Sequence, residues 1–93
     1  PQSDRERVSH AMFQAGGGII GEYLECSYRL TGTGTFFPTE KTNPTIGTQG
    51  QREEVTEDRL EMVCTEKNLS AVLQAMQKAH SYEEVAFDVY PLK

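Results

Sequence analysis

AGGGIIGEYLECSYRLTGTGTFFP, residues 15–38, is the stretch where the chain changes its hydrophobic period. Before it, Val8, Ala11, Met12 and Ala15 recur at helical spacing, and Ser3-Asp4-Arg5-Glu6 has the pattern of a capping box in front of them. The triple glycine Gly16-Gly17-Gly18 ends that helix, because glycine is costly inside a helix and free to take the positive φ of a stop. At least one of Gly16, Gly17, Gly18 and Gly21 is expected at positive φ. From Glu22 to Thr31 the period becomes two, with Leu24, Cys26, Tyr28 and Leu30 on one face and Tyr23, Glu25, Ser27 and Arg29 on the other. That pattern predicts a half-buried strand, interrupted by Gly32 and Gly34 before Thr35-Phe36-Phe37.

A long loop, about 38–51, follows and contains two prolines and two glycines. Loops of that length usually have a function or pack on a neighbour. A second strand is predicted over about Arg52 to Cys64, where Leu60, Met62 and Cys64 alternate with Arg59, Glu61 and Val63. Its acidic first half, Glu53 to Asp58, reads either as a solvated strand rim or as a cation site. Leu69, Val72, Leu73, Met76 and Ala79 mark a second amphipathic helix, capped by Thr65 or Asn68. Val85, Phe87 and Val89 then alternate with Ala86, Asp88 and Tyr90, which predicts a last strand ending at Pro91. The predicted core is Leu24, Tyr28, Leu60, Met62, Leu73, Met76, Phe87 and Val89.

The order helix, strand, strand, helix, strand places all 93 residues in one α+β domain, a ferredoxin-like α/β plait whose usual first strand is missing from the chain. That strand is central in the plait. The sheet is therefore expected to pair with a segment outside the sequence or with another copy.

Composition narrows the functional classes. The net charge is −5, from 9 basic and 14 acidic residues, and the basic residues are scattered, so nucleic acid is an unexpected partner. No run approaches a membrane span, and PQSDRERVSH is charged where a signal peptide would be apolar, so the expected compartment is the cytoplasm. Cys26 and Cys64 lack metal-ligand or redox spacing and read as reduced core thiols. Two histidines, His10 and His80, furnish no Ser-His-Asp set or H-E-x-x-H pair, so a self-contained enzyme is not expected.

Three motifs carry candidate chemistry. Gly16 to Gly21 superficially matches a dinucleotide loop, but it follows a helix and opens a strand, the reverse of the required context. Gly32, Thr33, Gly34 and Thr35 offer hydroxyls and free backbone N–H groups, the makings of a small-ligand cradle or of a bent strand. His80, with Tyr82, Glu83 and Glu84 beside it, is a candidate for proton transfer or a divalent cation, and equally a histidine capping a helix C-terminus.

Together AGGGIIGEYLECSYRLTGTGTFFP, TNPTIGTQGQREEV, EDRLEM and AHSYEEVAFDVYPL resemble the inserted CutA-like and PII-like domain of the Nif-three (NGG-one-interacting factor three) family. Gly16, Gly18, Ile20, Gly21, Tyr23 and Cys26 match its glycine-turn pattern. Gly32 to Phe36 with Pro38, and Asn43, Pro44, Ile46 and Gly47, match its next two pieces. Ser81 and Val85 stand where the related His-Pro-Tyr-Glu-Glu-Pro stretch has prolines. The resemblance implies a homotrimer and a binding or regulatory module sensing a small ligand or cation. Candidate ligand residues are Gly32, Thr33, Gly34, Thr35, Asn43, His80, Tyr82 and Glu83, with His80 and Glu83 as metal candidates and no obligatory cofactor. The alternatives it leaves are an accessory part of a metal-dependent hydrolase and a CutA-type divalent-cation binder. The family's two-metal cluster has no counterpart in these residues.

Overall fold

The computed structural model describes all residues, Pro1–Lys93. A short 3-10 turn, Gln2–Asp4, leads into helix α1 (Arg5–Gln14); strands β1 (Tyr28–Phe36) and β2 (Glu53–Glu61) follow, and helix α2 (Glu66–Ala79) comes last. The two strands form one antiparallel sheet, with Tyr28 opposite Glu61 and Phe36 opposite Glu53. α1 packs on α2, and the small set of buried apolar side chains comes from that contact: Val8, Val72 and Met76. The chain is α+β, as its periodicity predicts. At 14.5 Å its radius of gyration exceeds the roughly 12 Å of a compact chain this long, because the molecule is elongated, with extents of 47 × 25 × 23 Å.

Helix α2 starts as expected, with Thr65 Oγ1 accepting the Asn68 N–H at 3.3 Å. The capping box at Ser3 does not form. Asp4 stands at the N-cap of α1 without a side-chain cap bond, because its carboxylate is used elsewhere: it takes the Arg7 guanidinium at 2.7 Å and the backbone N–H and hydroxyl of Ser81. α1 ends at Gln14, just before the triple glycine.

That glycine segment is a packing junction. Gly16, Gly18 and Gly21 all have positive φ, as predicted. Gly18, at φ 78°, donates to Val63 O at 2.7 Å and accepts from Cys26 N at 2.8 Å, tying the end of α1 to the exit of β2. A Cβ there would lie 2.8 Å from Cys26 O and 2.9 Å from the Phe13 ring, so both the conformation and the space select glycine.

The first strand differs from its prediction. It begins at Tyr28, not Glu22, because residues 19–27 form a tight reversal in which Ile20 bridges Tyr23, Gly21 is left-handed and Glu25 sits at φ 55°. Leu24 and Tyr28 are consequently exposed. Gly32 and Gly34 do not interrupt the strand; they pair with Glu57 and Val55 in the middle of β1.

The last predicted strand is also absent. Residues 85–93 belong to no helix, strand or turn, and nothing from Ser81 to Lys93 makes a backbone–backbone hydrogen bond. A strand exists only through a partner, and β2 is hydrogen-bonded on its β1 side alone. Phe87 and Val89 are therefore about half exposed, and of the predicted core only Met76 is fully buried, with Leu60, Met62 and Leu73 intermediate. Cys26 and Cys64 are unpaired thiols of intermediate burial.

Candidate functional site

The 38–51 loop folds back over the end of β1 and meets the segment after α2. Its position is set by few contacts: the Asn43 N–H donates to Glu83 Oε1 at 3.0 Å, Thr45 Oγ1 donates to Ser81 O at 2.6 Å, and Gly50 N–H closes on Pro38 O at 2.7 Å. Pro38 is buried at the start of the loop. Between loop, strand and segment lies a cavity of about 290 Å³, lined by Thr35, Phe36, Phe37, Pro38, Tyr82 and Glu83 among others. Glu57 and Glu84 also face it, and none of its 13 lining residues is basic.

The cavity wall is built from packed pairs. Phe36 and Tyr82 meet edge to face with ring centroids 5.8 Å apart, an arrangement that satisfies the aromatic quadrupoles. Tyr82 donates its hydroxyl to Glu57 Oε2 at 3.2 Å. Burial, with the neighbouring Glu57 carboxylate, pushes the Tyr82 phenol up to about 12, so it stays a proton donor throughout the neutral range.

Gly34 makes this bond geometrically available, because the Glu57 side chain crosses the space a Cβ would fill at that position. The glycine that read as a strand interruption is thus a vacancy for a carboxylate. Only the structure exposes this, since Gly34 and Glu57 are distant in sequence and meet through the strand register.

His80 sits one step away, on the helix side. Its ring lies 5.0 Å from that of Tyr82, its Nδ1 accepts the Tyr82 N–H at 2.9 Å, and Asp4 Oδ2 is 3.7 Å from the same nitrogen. Burial lowers the pKa of His80, with Asp4 opposing. A nitrogen accepting a backbone N–H carries no proton, so the geometry and the shift agree on a neutral ring. Burial pushes the Asp4 carboxyl up, but the Ser81 hydroxyl and amide and the Arg7 guanidinium outweigh it and hold it below its ordinary value.

Of the residues singled out in the sequence, Thr35, Tyr82 and Glu83 line the cavity, and Asn43 fixes Glu83 at its edge. Gly34 contributes through Glu57. Gly32 and Thr33 lie further along β1, exposed and outside the cavity, and His80 faces Asp4 behind Tyr82. Phe36 and Asp4 were missed, and Glu57 was read only as part of the acidic run Glu53 to Asp58; their contacts with Tyr82 and Ser81 join segments more than twenty residues apart. The acidic half of β2 divides its roles, with Glu57 facing Tyr82, while Asp58 takes Arg5 at 3.0 Å and Thr31 at 2.9 Å. No group of three or more His, Cys, Asp or Glu side chains is placed to hold a metal ion. No helix is long and apolar enough to cross a membrane.

By comparison with known proteins, the chain spans about a quarter of the length of the curated relatives it matches. Those relatives are named GTP cyclohydrolase 1 type 2 homolog. The one from Mycobacterium leprae is 48% identical over 91% of this chain and 22% of its own length, and that from Halalkalibacterium halodurans 47% over 99% and 25%. The Bacillus subtilis relative is 44% identical over the whole chain and 25% of its own length. The crystal structure of a Bacillus cereus protein related to NIF3 superposes on 99% of this chain and 23% of its own with a TM-score of 0.83, at 43% identity. No family model matches the chain. The likeness read from the glycine-turn and Gly-Thr-Gly-Thr-Phe motifs thus meets a Nif-three-related structure.

Proposed function

We propose that this chain is a non-catalytic binding and assembly module of Nif-three type, a CutA/PII-like plait working as a homotrimer in the cytoplasm, whose ligand site is the cavity between the 38–51 loop and Tyr82. The observation that supports it is the character of that cavity: three aromatic rings and three carboxylates, from Phe36, Phe37, Tyr82, Glu57, Glu83 and Glu84, with no basic side chain. Such a lining attracts a small cation, through carboxylate charge and the negative faces of the rings, and repels anions.

The name carried by the relatives points to a nucleotide triphosphate, whose charge is of the wrong sign for this cavity. Cyclohydrolase or metal-dependent hydrolase chemistry, where it exists, is assigned on this reading to the remaining three quarters of such proteins. No cofactor is required here, and neither nucleic acid nor membrane is a partner.

Calorimetric titration with tetramethylammonium and with zinc, beside light scattering of the chromatographed protein, tests the proposal. A trimer is expected, with cation binding that weakens at least tenfold in Glu57→Gln. A strict monomer at micromolar concentration sinks the assembly role. Unchanged affinity in the variant sinks the site, and GTP turnover by the chain alone would show that it is an enzyme.

A further inference from the structure

β2 separates two concavities. The larger is a groove of about 1490 Å³, with Val72, Met76, Leu60 and Met62 on its apolar floor and residues 85–92 along one wall. Its polar edge is satisfied within the chain: Arg5 pairs with Asp58, and the polar corner of Asp4, His80 and Ser81 is internally bonded. The smaller, the loop-covered cavity, gathers negative charge that its own lining does not neutralise. Glu57, Glu83 and Glu84 contribute three carboxylates, and no lining residue is basic. Glu57 Oε2 accepts the Tyr82 hydroxyl at 3.2 Å and Glu83 Oε1 accepts the Asn43 N–H at 3.0 Å, both neutral donors. The Pro1 nitrogen, 3.9 Å from Glu57 Oε2, lies outside the lining.

The way this charge is spread selects the ligand. Carboxylates closing on one point would make a site for a divalent metal, with oxygens about 2–2.6 Å from the ion. These three line one cavity but are not placed to hold an ion together. At about 290 Å³ the cavity is also close to the roughly 300 Å³ at which small-molecule sites begin, far more room than a single ion fills. Beside the carboxylates stand the apolar surfaces of Phe36, Phe37, Pro38, Pro44 and Ile46. A single ammonium would leave two carboxylates without a counter-charge. A chain carrying several would pair them and lay its methylenes on the rings, whose faces favour groups next to a cation. Building on the cation site proposed above, we infer that its ligand is a linear aliphatic diamine or polyamine. The half-buried Glu57 takes the inner ammonium, the edge-to-face pair of Phe36 and Tyr82 packs the hydrocarbon, and the exposed Glu83 and Glu84 take the outer ammonium.

Calorimetric titration of the 93-residue protein with butylamine, putrescine and spermidine at fixed ionic strength tests this, beside tetramethylammonium and zinc. Butylamine and putrescine share one hydrocarbon chain and differ by one ammonium, so putrescine is expected to bind about tenfold more tightly, and spermidine more tightly again. Glu84→Gln should remove most of the advantage of putrescine over butylamine. Glu22→Gln, an equal change of charge in the exposed 19–27 reversal, should leave that advantage intact. Butylamine or tetramethylammonium binding as tightly as putrescine overturns the inference and leaves the cation site standing. Zinc bound more tightly than spermidine overturns it in favour of a metal. Equal losses in Glu84→Gln and Glu22→Gln also overturn it, by reducing the binding to attraction by the net charge of −5. If none of the five cations binds, the site and the inference fall together.

Discussion

The two sides of β2 are built on opposite principles. Toward the cavity, polar side chains are tied within the chain: Tyr82 has Glu57, and Glu83 takes the Asn43 N–H. Toward the groove, apolar side chains are plentiful and backbone pairing is missing. A region whose polar groups are mutually satisfied is specified by this sequence alone. In a region with an apolar floor and no backbone ladder, the exposure of side chains such as Phe87 and Val89 follows from the neighbours the backbone lacks.

The largest effect should come from removing what little core the helix pair owns. Met76 is 6% exposed and Val72 2%. Met76→Ala is expected to cost about 2–5 kcal/mol, measured by denaturant unfolding. Phe87→Ala, on the open wall, should cost well under 1 kcal/mol in the chain alone. Equal losses at the two positions would break the contrast between the regions.

The polar corner comes next. Asp4→Ala removes the acceptor of the Ser81 amide and hydroxyl, and unmade bonds of that kind cost about 1–3 kcal/mol. Its pH dependence follows from the shifts. Asp4 is held below its ordinary 3.8, so its contribution is complete above that pH and disappears as pH falls through the lower folded value. His80 is also lowered, but for a base this means that the unfolded chain takes up its proton first. Stability therefore begins to fall as pH drops below about 6.5, and this loss levels off below the folded value. Two separate descents are expected in a stability profile from pH 8 to 2, and His80→Gln should erase only the upper one.

Gly18→Ala sharpens the comparison at the junction between the regions. The left-handed backbone and the contact with Cys26 O and Phe13 together should make it cost more than the 0.4–1 kcal/mol that such a change gains at a compatible site. The expected result is a lowered denaturation midpoint, whereas Gly21→Ala, with open space around its Cβ, pays only the conformational term.

How much of this was legible in the sequence varies with the range of the contacts involved. α1, α2 and the glycine stop were readable because helix periodicity, the Thr65 cap and positive φ are local properties. The start of β1 was not, since alternation at Tyr23 to Ser27 also suits a reversal, and the choice was made by Gly21 and Glu25. The final strand was misassigned for a different reason: Val85–Tyr90 has the right pattern, but a strand requires a neighbour that these residues do not contain. At the site, Tyr82 and Glu83 were found from their proximity to His80, whereas Glu57 was read with the whole acidic run Glu53 to Asp58 and is singled out only by the register that sets it opposite Gly32.

The smallest effect expected is at the Tyr82 hydroxyl. Tyr82→Phe keeps the ring against Phe36 and removes one hydrogen bond to Glu57, which is long at 3.2 Å and only part-buried, so a loss of about 0.5–1.5 kcal/mol is expected, below the range for a short bond to a charged group. It also frees the Glu57 carboxylate beside the cavity. If the cavity holds a cation, the loss in stability should be accompanied by unchanged or tighter tetramethylammonium binding, because the carboxylate no longer shares its charge with the phenol. Gly34→Ala should do the reverse: its Cβ displaces Glu57 from the same space, breaking the Tyr82 bond and moving the charge away from the site. Opposite signs of binding change in these two variants, at similar small cost in stability, would tie the acidic lining to ligand capture. Parallel changes would mean that Glu57 serves only to hold Tyr82 in place.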